Sequence, residues 1–256
     1  MIHIGHYKNI GYRDTMEDYM IINSNPKFCF FSILDGHGGS SCVKYLKVKL
    51  YNIILEQYTK YNGSNISKIL YNSYQILDQM FLENYRISNR LSGSTACSLL
   101  IDIRNNKYWI ANTGDSRIIV LVNNNVIQLS KDHKPYSKDE YNRIVSQNGF
   151  VYKNRLGGIL AMSRAFGNIR LKTQGLIVTP DILTGTINKN YKYFVIASDG
   201  LYDVMTNTEI VNFINYHIDK NLKLKDISKK LVQYAINNKH SSDNVSVIIV
   251  LLNYHI

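Results

Sequence analysis

Residues 28–39 read FCFFSILDGHGG. Seven mostly apolar residues, the signature of a buried strand, run straight into Asp35, Gly36, His37, Gly38 and Gly39. A carboxylate, an imidazole and three glycines are more than a chain reversal needs. The pattern recurs at 193–200, YFVIASDG, another apolar strand ending in Asp-Gly. Glycine after the acid lets the backbone approach something closely and frees a carbonyl. A third acid, Asp243 in SSDNVSVIIV, stands just before an apolar strand. If that strand runs antiparallel to the others, Asp35, Asp199 and Asp243 share one rim.

Residues 17–24, EDYMIINS, read as a strand joined to the 28–35 strand by the short turn NPK. That hairpin sets Glu17 and Asp18 beside Asp35. Five carboxylates crowded together repel one another by several kcal/mol at an effective dielectric of about 20. Either some of them protonate or cations neutralise them. Donors that are nearly all oxygen favour Mg2+ or Mn2+ over Zn2+. Taken singly, each piece has a plainer explanation: Asp-Gly as a turn, Glu-Asp as a solvated rim, Asp-Asn as a cap. Only their joint occurrence points to a site for two cations.

The rest of the chain supplies a frame. Residues 40–60 and 66–87 repeat apolar residues at helical spacing, with Ser40 or Ser41 as N-cap of the first. Strand-like runs follow at 95–102, 107–113, 117–122 and 126–130, and their links RNN, GDS and NNN have hairpin chemistry. A helix is expected at 137–147, a strand at 192–198, helices at 207–219 and 225–238, and a last strand at 245–252. This order predicts sheet on sheet with helices outside and antiparallel pairing. No Pro-, Gly- or Ser-rich linker divides the 256 residues, so residues 1–256 are expected to form a single domain.

Composition narrows the function classes. Lys and Arg outnumber Asp and Glu by 30 to 19, a formal charge of +11. The chain is rich in Lys, Asn, Ile and Tyr throughout and has no basic run of five or six, so no nucleic-acid partner is expected. A basic surface still attracts acidic or phosphorylated partners. No apolar run approaches a membrane span, and the N-terminus lacks a secretory signal's apolar stretch. Cys29, Cys42 and Cys97 are scattered, as reduced thiols of an intracellular protein would be. The expectation is a protein of cytoplasm or nucleus, outside membranes.

Eight motifs then fall in order: RDTMED (13–18), LDGHGG (34–39), GSTA (93–96), TGDSR (113–117), DHKP (132–135), LAMSRAFGN (160–168), ASDGLYDVM (197–205) and SSDNVSV (241–247). Together they resemble the metal-dependent protein phosphatases, the protein phosphatase 2C family. The resemblance implies an α+β, four-layer αββα sandwich, two antiparallel sheets flanked by antiparallel helix pairs, with two Mn2+ or Mg2+ ions between the sheets. By matching positions, Asp35 looks like the bridging carboxylate and the Gly36 carbonyl like a further ligand. Asp199 and Asp243 look like ligands on one side, and Glu17 and Asp18 on the other, partly through water. Asp115 and Asp203 match a further pair that could hold a third, weaker ion; Asp203 follows Asp199 by one helical turn. For Asp115 alone a hairpin-turn role is as plausible.

The implied reaction is hydrolysis of phosphoserine and phosphothreonine in protein substrates by a cation-activated water, without a phosphoenzyme. Arg13 is the candidate phosphate clamp, since a guanidinium fork matches two phosphate oxygens; the alternative is an exposed strand-edge arginine. His37 is the candidate general acid, with an imidazole pKa near 6.5; the alternatives are a turn histidine or a metal ligand. Arg164 and its surroundings read as scaffold. Two departures stand out: Asn168 where the family usually has Asp, and Tyr202 where it usually has Trp. Neither is expected to touch a proposed ligand. The stretch between Ser163 and Pro180, in the flap region beside the cleft, is short for the family, which leaves substrate choice open. A bare, monomeric catalytic domain is expected. The competing reading is a pseudophosphatase that binds phosphoproteins without turning them over.

Overall fold

The computed structural model describes residues 2–84 and 91–252. Strands β1 (Ile2–Asn9), β2 (Asp18–Ser24) and β3 (Cys29–His37) lead into helices α1 (Ser41–Lys60) and α2 (Ile66–Asn84). Next come β4 (Gly93–Ser94), β5 (Ala96–Asp102), β6 (Lys107–Thr113), β7 (Arg117–Val122) and β8 (Asn125–Gln128). A connecting region holds α3 (Lys138–Ser146), β9 (Val151–Tyr152), β10 (Arg155–Leu156), β11 (Phe166–Gly167) and α4 (Ile169–Lys172). The chain finishes with β12 (Asp181–Thr186), β13 (Tyr191–Ala197), α5 (Asp199–Tyr202), α6 (Asn207–Asp219), α7 (Leu224–Asn237) and β14 (Val245–Leu252).

These elements build two large antiparallel sheets and a separate two-stranded ribbon, β10-β9. One has the order β1-β14-β13-β7-β8; the other runs β11-β4-β3-β5-β6-β12, with β2 also paired to β3. The apolar run at 28–34 is explained by burial of β3 on both faces. Phe31 and Ile33 point between the sheets, against Phe194, Ile196, Ile248 and Val250. Phe28, Phe30 and Leu34 point the other way, into a core shared with α1 and α2. The second sheet repeats the plan: Tyr193, Val195, Val247 and Ile249 pack against α6 and α7. Each such Leu, Ile or Phe contributes about 1.5–3 kcal/mol on burial. Three stacked apolar layers make the fold the α+β, αββα sandwich that the sequence predicts. One polar chain crosses a layer: the Tyr74 hydroxyl meets Ser98 Oγ at 2.7 Å, and Ser98 meets Ser32 at 2.9 Å.

Several boundaries differ from the sequence reading. β3 continues two residues past Asp35, because Gly36 and His37 pair with Ser94 and Gly93 of β4. The link GDS is no hairpin: β6 and β7 lie in different sheets, so TGDS carries the chain from one sheet to the other. Two edge strands, β1 and β12, have no counterpart in the reading. The helix expected over 66–87 is described to Asn84, and its last expected residues lie outside the described ones. Ser40 occupies the N-cap of α1 without a side-chain capping bond.

Candidate active site

The β2–β3 hairpin sets Asp18 directly opposite Asp35. Asp199 opens α5 immediately beyond β13. β14 runs antiparallel to β13, with Val247 opposite Ala197, so Asp243 arrives beside Asp199 from the far end of the chain. Glycine is required where these segments meet: a Cβ at Gly200 would overlap the Asn244 carbonyl, and one at Gly36 would sit 2.7 Å from the Glu17 carbonyl. The result is a cleft of about 660 Å³ whose lining includes Glu17, Asp35, Asp199, Asp203 and Asp243. Arg13, Gly36 and His37 also line it.

The acids perturb one another. Burial, then the Asp199, Asp18, Asp115 and Asp243 carboxylates, push Asp35 well above the usual carboxylate range. Burial, then Asp115, Asp203 and Asp243, do the same to Asp199. Burial raises Asp18 to about 6, although Ser198 Oγ donates to its Oδ2 at 2.7 Å. Asp18 is thus buried beneath the cleft and ties β2 to the opposite sheet. Asp203 is raised too, first by burial. Its backbone N–H bonds the Asp199 carbonyl at 2.8 Å, which fixes the helical turn between the two acids.

Asp115 is 1% exposed and meets Lys134 Nζ at 2.5 Å. Its other oxygen, Oδ1, is buried and bonded to nothing. Burial pulls the Lys134 ammonium down, but Asp115 outweighs it and the net shift is upward. Arg13 is not a free strand-edge residue: its Nη2 pairs with Asp243 Oδ2 at 2.7 Å and its Nε donates to the Ser242 carbonyl at 3.2 Å.

His37 has an unexpected neighbour. Its Nε2 lies 2.7 Å from Asn168 Oδ1, while Asn168 Nδ2 donates to the Leu91 carbonyl at 2.6 Å. The second bond fixes which way the amide faces, so Nε2 carries a hydrogen and donates. Nδ1 is buried with no partner. Burial lowers the imidazole pKa and the Asn168 bond partly restores it. Asn168 touches no proposed ligand, as expected, but it does hold the candidate acid. Asn168 sits in the left-handed region at φ 47°, which asparagine tolerates better than most residues. Gly93 passes under this contact: a Cβ there would overlap Asn168 Oδ1 and come within 2.5 Å of His37 Nε2. Tyr202 stands apart, stacked under the Arg117 guanidinium at 4.4 Å.

Other positioning residues carried only weak sequence signals. Asn244 donates to the Ile10 and Thr15 carbonyls and accepts from the Glu17 N–H at 2.7 Å, so it ties the Arg13–Glu17 segment to Asp243. Asn244 stands in SSDNVSV and Lys134 in DHKP, and no local pattern assigns either a role. Arg164 is scaffold: it joins Glu140, at 2.7 Å, to Asp181, at 2.8 Å.

The residues suit divalent cations. The donors are carboxylates and a carbonyl, the acids are destabilised as anions by burial and by each other, and Asp115 Oδ1 is an orphaned acceptor. Among the described residues no three His, Cys, Asp or Glu side chains already enclose a single point. The acids line an open cleft instead.

A family model described as Protein phosphatase 2C matches residues 2–245. Probable protein phosphatase 2C 45 of Oryza sativa subsp. japonica is 34% identical over 253 residues, covering 96% of this chain and 86% of that protein. Probable protein phosphatase 2C 76 of Arabidopsis thaliana is 36% identical over 247 residues, and there this chain spans 56% of the relative. Among solved structures, a C. elegans sex determining protein superimposes with TM-score 0.89 at 25% identity, over 98% of this chain and 65% of that one. A serine-threonine phosphatase 2C from Toxoplasma gondii gives 0.87 at 20% identity over 98% and 95%, a likeness of fold. On the match along the sequence, this chain belongs to the protein phosphatase 2C family.

Proposed function

We propose that this protein hydrolyses phosphoserine and phosphothreonine in proteins, using Mn2+ or Mg2+ held in the cleft. The observation that carries the reading is the meeting of Asp35, Asp199 and Asp243, from three distant parts of the chain, beside Arg13. Asp35, the Gly36 carbonyl, Asp199 and Asp243, with Glu17 and Asp18 behind, would hold two ions; Asp115 and Asp203 would hold a weaker third. When bound, such ions act as Lewis acids and lower the pKa of water.

The chain's own groups do the rest. Arg13 offers a fork to two phosphate oxygens, and an incoming phosphate competes with Asp243 for it. His37 is held through Nε2 by Asn168, so its second proton sits on Nδ1. Burial makes the protonated ring the stronger acid, and its Nδ1 proton can pass to the departing serine or threonine oxygen only when the covered Nδ1 is opened to the cleft as substrate seats. No cysteine lines the cleft among the described residues, and Cys42 and Cys97 are buried, so a thiol nucleophile has no place in the reaction. No described helix is long and apolar enough to cross a membrane.

The test is turnover of p-nitrophenyl phosphate and of a phosphothreonine peptide, with Mn2+ and then with a chelator. Release of phosphate that stops on chelation supports the reading. Absence of turnover, or turnover that survives the chelator, overturns it.

A further inference from the structure

The cleft is electrically uneven. Its acids come from the β2–β3 and β13–β14 ends and from α5. Another stretch of its wall is built by β10, the turn after it, and α4, and contributes Arg155, Ile159, Leu160, Met162 and Arg170 to the lining. No carboxylate from that wall reaches the cleft. Leu156, Leu160, Met162 and Leu171 form, with Ile144 and Leu176, a small apolar core of their own under it. The wall is also braced by Arg164, which bonds Glu140 and Asp181. It is therefore a built surface rather than a loose loop.

Both arginines on this wall are exposed. Arg155 Nη1 donates to the Ile159 carbonyl at 2.8 Å, which closes the turn and holds the guanidinium at the rim. Among the described residues neither Arg155 nor Arg170 pairs with a carboxylate, whereas Arg13, Arg117, Arg143 and Arg164 all do. Among the described residues, two arginines without an acidic partner thus line the cleft. Their charge is available to whatever flanks a phosphorylated side chain seated at the acidic floor.

Resting on the phosphatase reading, we propose that Arg155 and Arg170 select acidic phosphopeptides: substrates whose phosphoserine or phosphothreonine is flanked by Asp, Glu or a second phosphate. Two guanidinium groups on this wall attract such residues and repel Lys or Arg. The contacts are solvent-exposed, so the preference is modest and screened by salt. Together the pair gives roughly a tenfold advantage in kcat/KM for a glutamate-flanked over a lysine-flanked peptide at low salt.

The experiment uses two phosphothreonine decapeptides, one flanked by Glu and one by Lys. Binding is read by fluorescence anisotropy and turnover by phosphate release. The ratio between peptides is taken within each variant, for the wild type, the R155E/R170E double variant and the conservative R155K/R170K. The net charge of +11 attracts any acidic peptide, so the variants are what localise the effect. The expected result is a ratio near ten in the wild type, largely kept by R155K/R170K, inverted by R155E/R170E and reduced at high salt. A wild-type ratio at or below one, or a ratio that R155E/R170E leaves unchanged, overturns the proposal. If binding shows the preference while p-nitrophenyl phosphate is not hydrolysed, the recognition surface stands and the catalytic reading falls.

Discussion

His37 is a buried imidazole whose two nitrogens have unlike surroundings: Nε2 is held by Asn168 and Nδ1 has no protein partner. Replacing Asn168 by Asp sets a carboxylate where the amide oxygen now sits, 2.7 Å from the ring, and stabilises the imidazolium. A general acid works while protonated, so activity falls as pH rises through its pKa. Asn168→Asp is therefore expected to move the alkaline limb of the kcat profile upward by on the order of one pH unit. A merely structural role would lower kcat at every pH and leave the limb in place. Arg13 makes a second test at this scale. Its pair with Asp243 is more than a third exposed on both sides, so Arg13→Ala changes stability little. It should raise KM for a phosphopeptide about tenfold, with a smaller fall in kcat, since one exposed charge-assisted fork is lost. An unchanged KM removes Arg13 from phosphate binding.

At the scale of elements, the site depends on short pieces of strand that bring distant loops into contact. β4 is two residues long, yet it pairs with β3 at Gly36 and His37 and with β11 at Phe166 and Gly167. It thereby holds His37 and Asn168 together across its glycine. Gly93→Ala is expected to separate that pair, destabilising the fold by about 1–3 kcal/mol in denaturant melts and lowering kcat. Full activity in this variant would show that the His37–Asn168 contact is dispensable. The same elements show what the sequence could reveal. The acids of β2 and β3 were legible because a short turn fixes the register, and register fixes that Asp18 faces Asp35. Asp243 was legible because an apolar strand leaves little choice but to pair antiparallel with its neighbours. β1 and β12 were not, because edge strands bury only part of one face and keep polar residues such as His3, His6 and Thr184. The crossing at TGDS reads as a hairpin because Gly, Asp and Ser bend the chain equally well whether it returns to the same sheet or departs to the other. The Asn168–His37 contact is not legible in the sequence because nothing in local pattern links positions 131 residues apart.

Across the whole molecule, the fold carries a cluster of acids whose charged forms it disfavours, and this has a sign that can be measured. Asp18 has an ordinary pKa of 3.8 and is raised to about 6 in the fold, chiefly by burial. A raised folded pKa means that the folded chain binds the proton more tightly than the unfolded chain. Stability from this group is present below about pH 4 and is lost as pH rises towards 6, by about 3 kcal/mol for a shift of this size. Asp35 and Asp199 are raised as well, first by burial and then by the neighbouring carboxylates, so their contributions are lost with the same sign as pH rises. Glu140 runs the opposite way: burial raises it, but Arg164, Arg143 and Ser163 outweigh burial and depress it, so its contribution is lost only on acidification below about 4.5. In melts of the chelated protein between about pH 5 and pH 8, Glu140 stays ionised throughout, while buried His37, whose lowered pKa acts with the opposite sign, titrates in both the wild type and an acid-cluster variant, so their difference reads the acids. Wild-type Tm is expected to fall across that interval, and a D35N/D199N variant to fall less and melt higher at pH 8. Mn2+ should reverse the sign, because a cation binds the ionised acids and competes with protons. At a hundred times Kd it adds about 2.7 kcal/mol, or about 5–10 °C in a chain of this size. That gain should be larger at pH 8 than at pH 5 and absent from the double variant. A Mn2+ shift that ignores pH, or that survives in D35N/D199N, would place the cation somewhere other than the cleft.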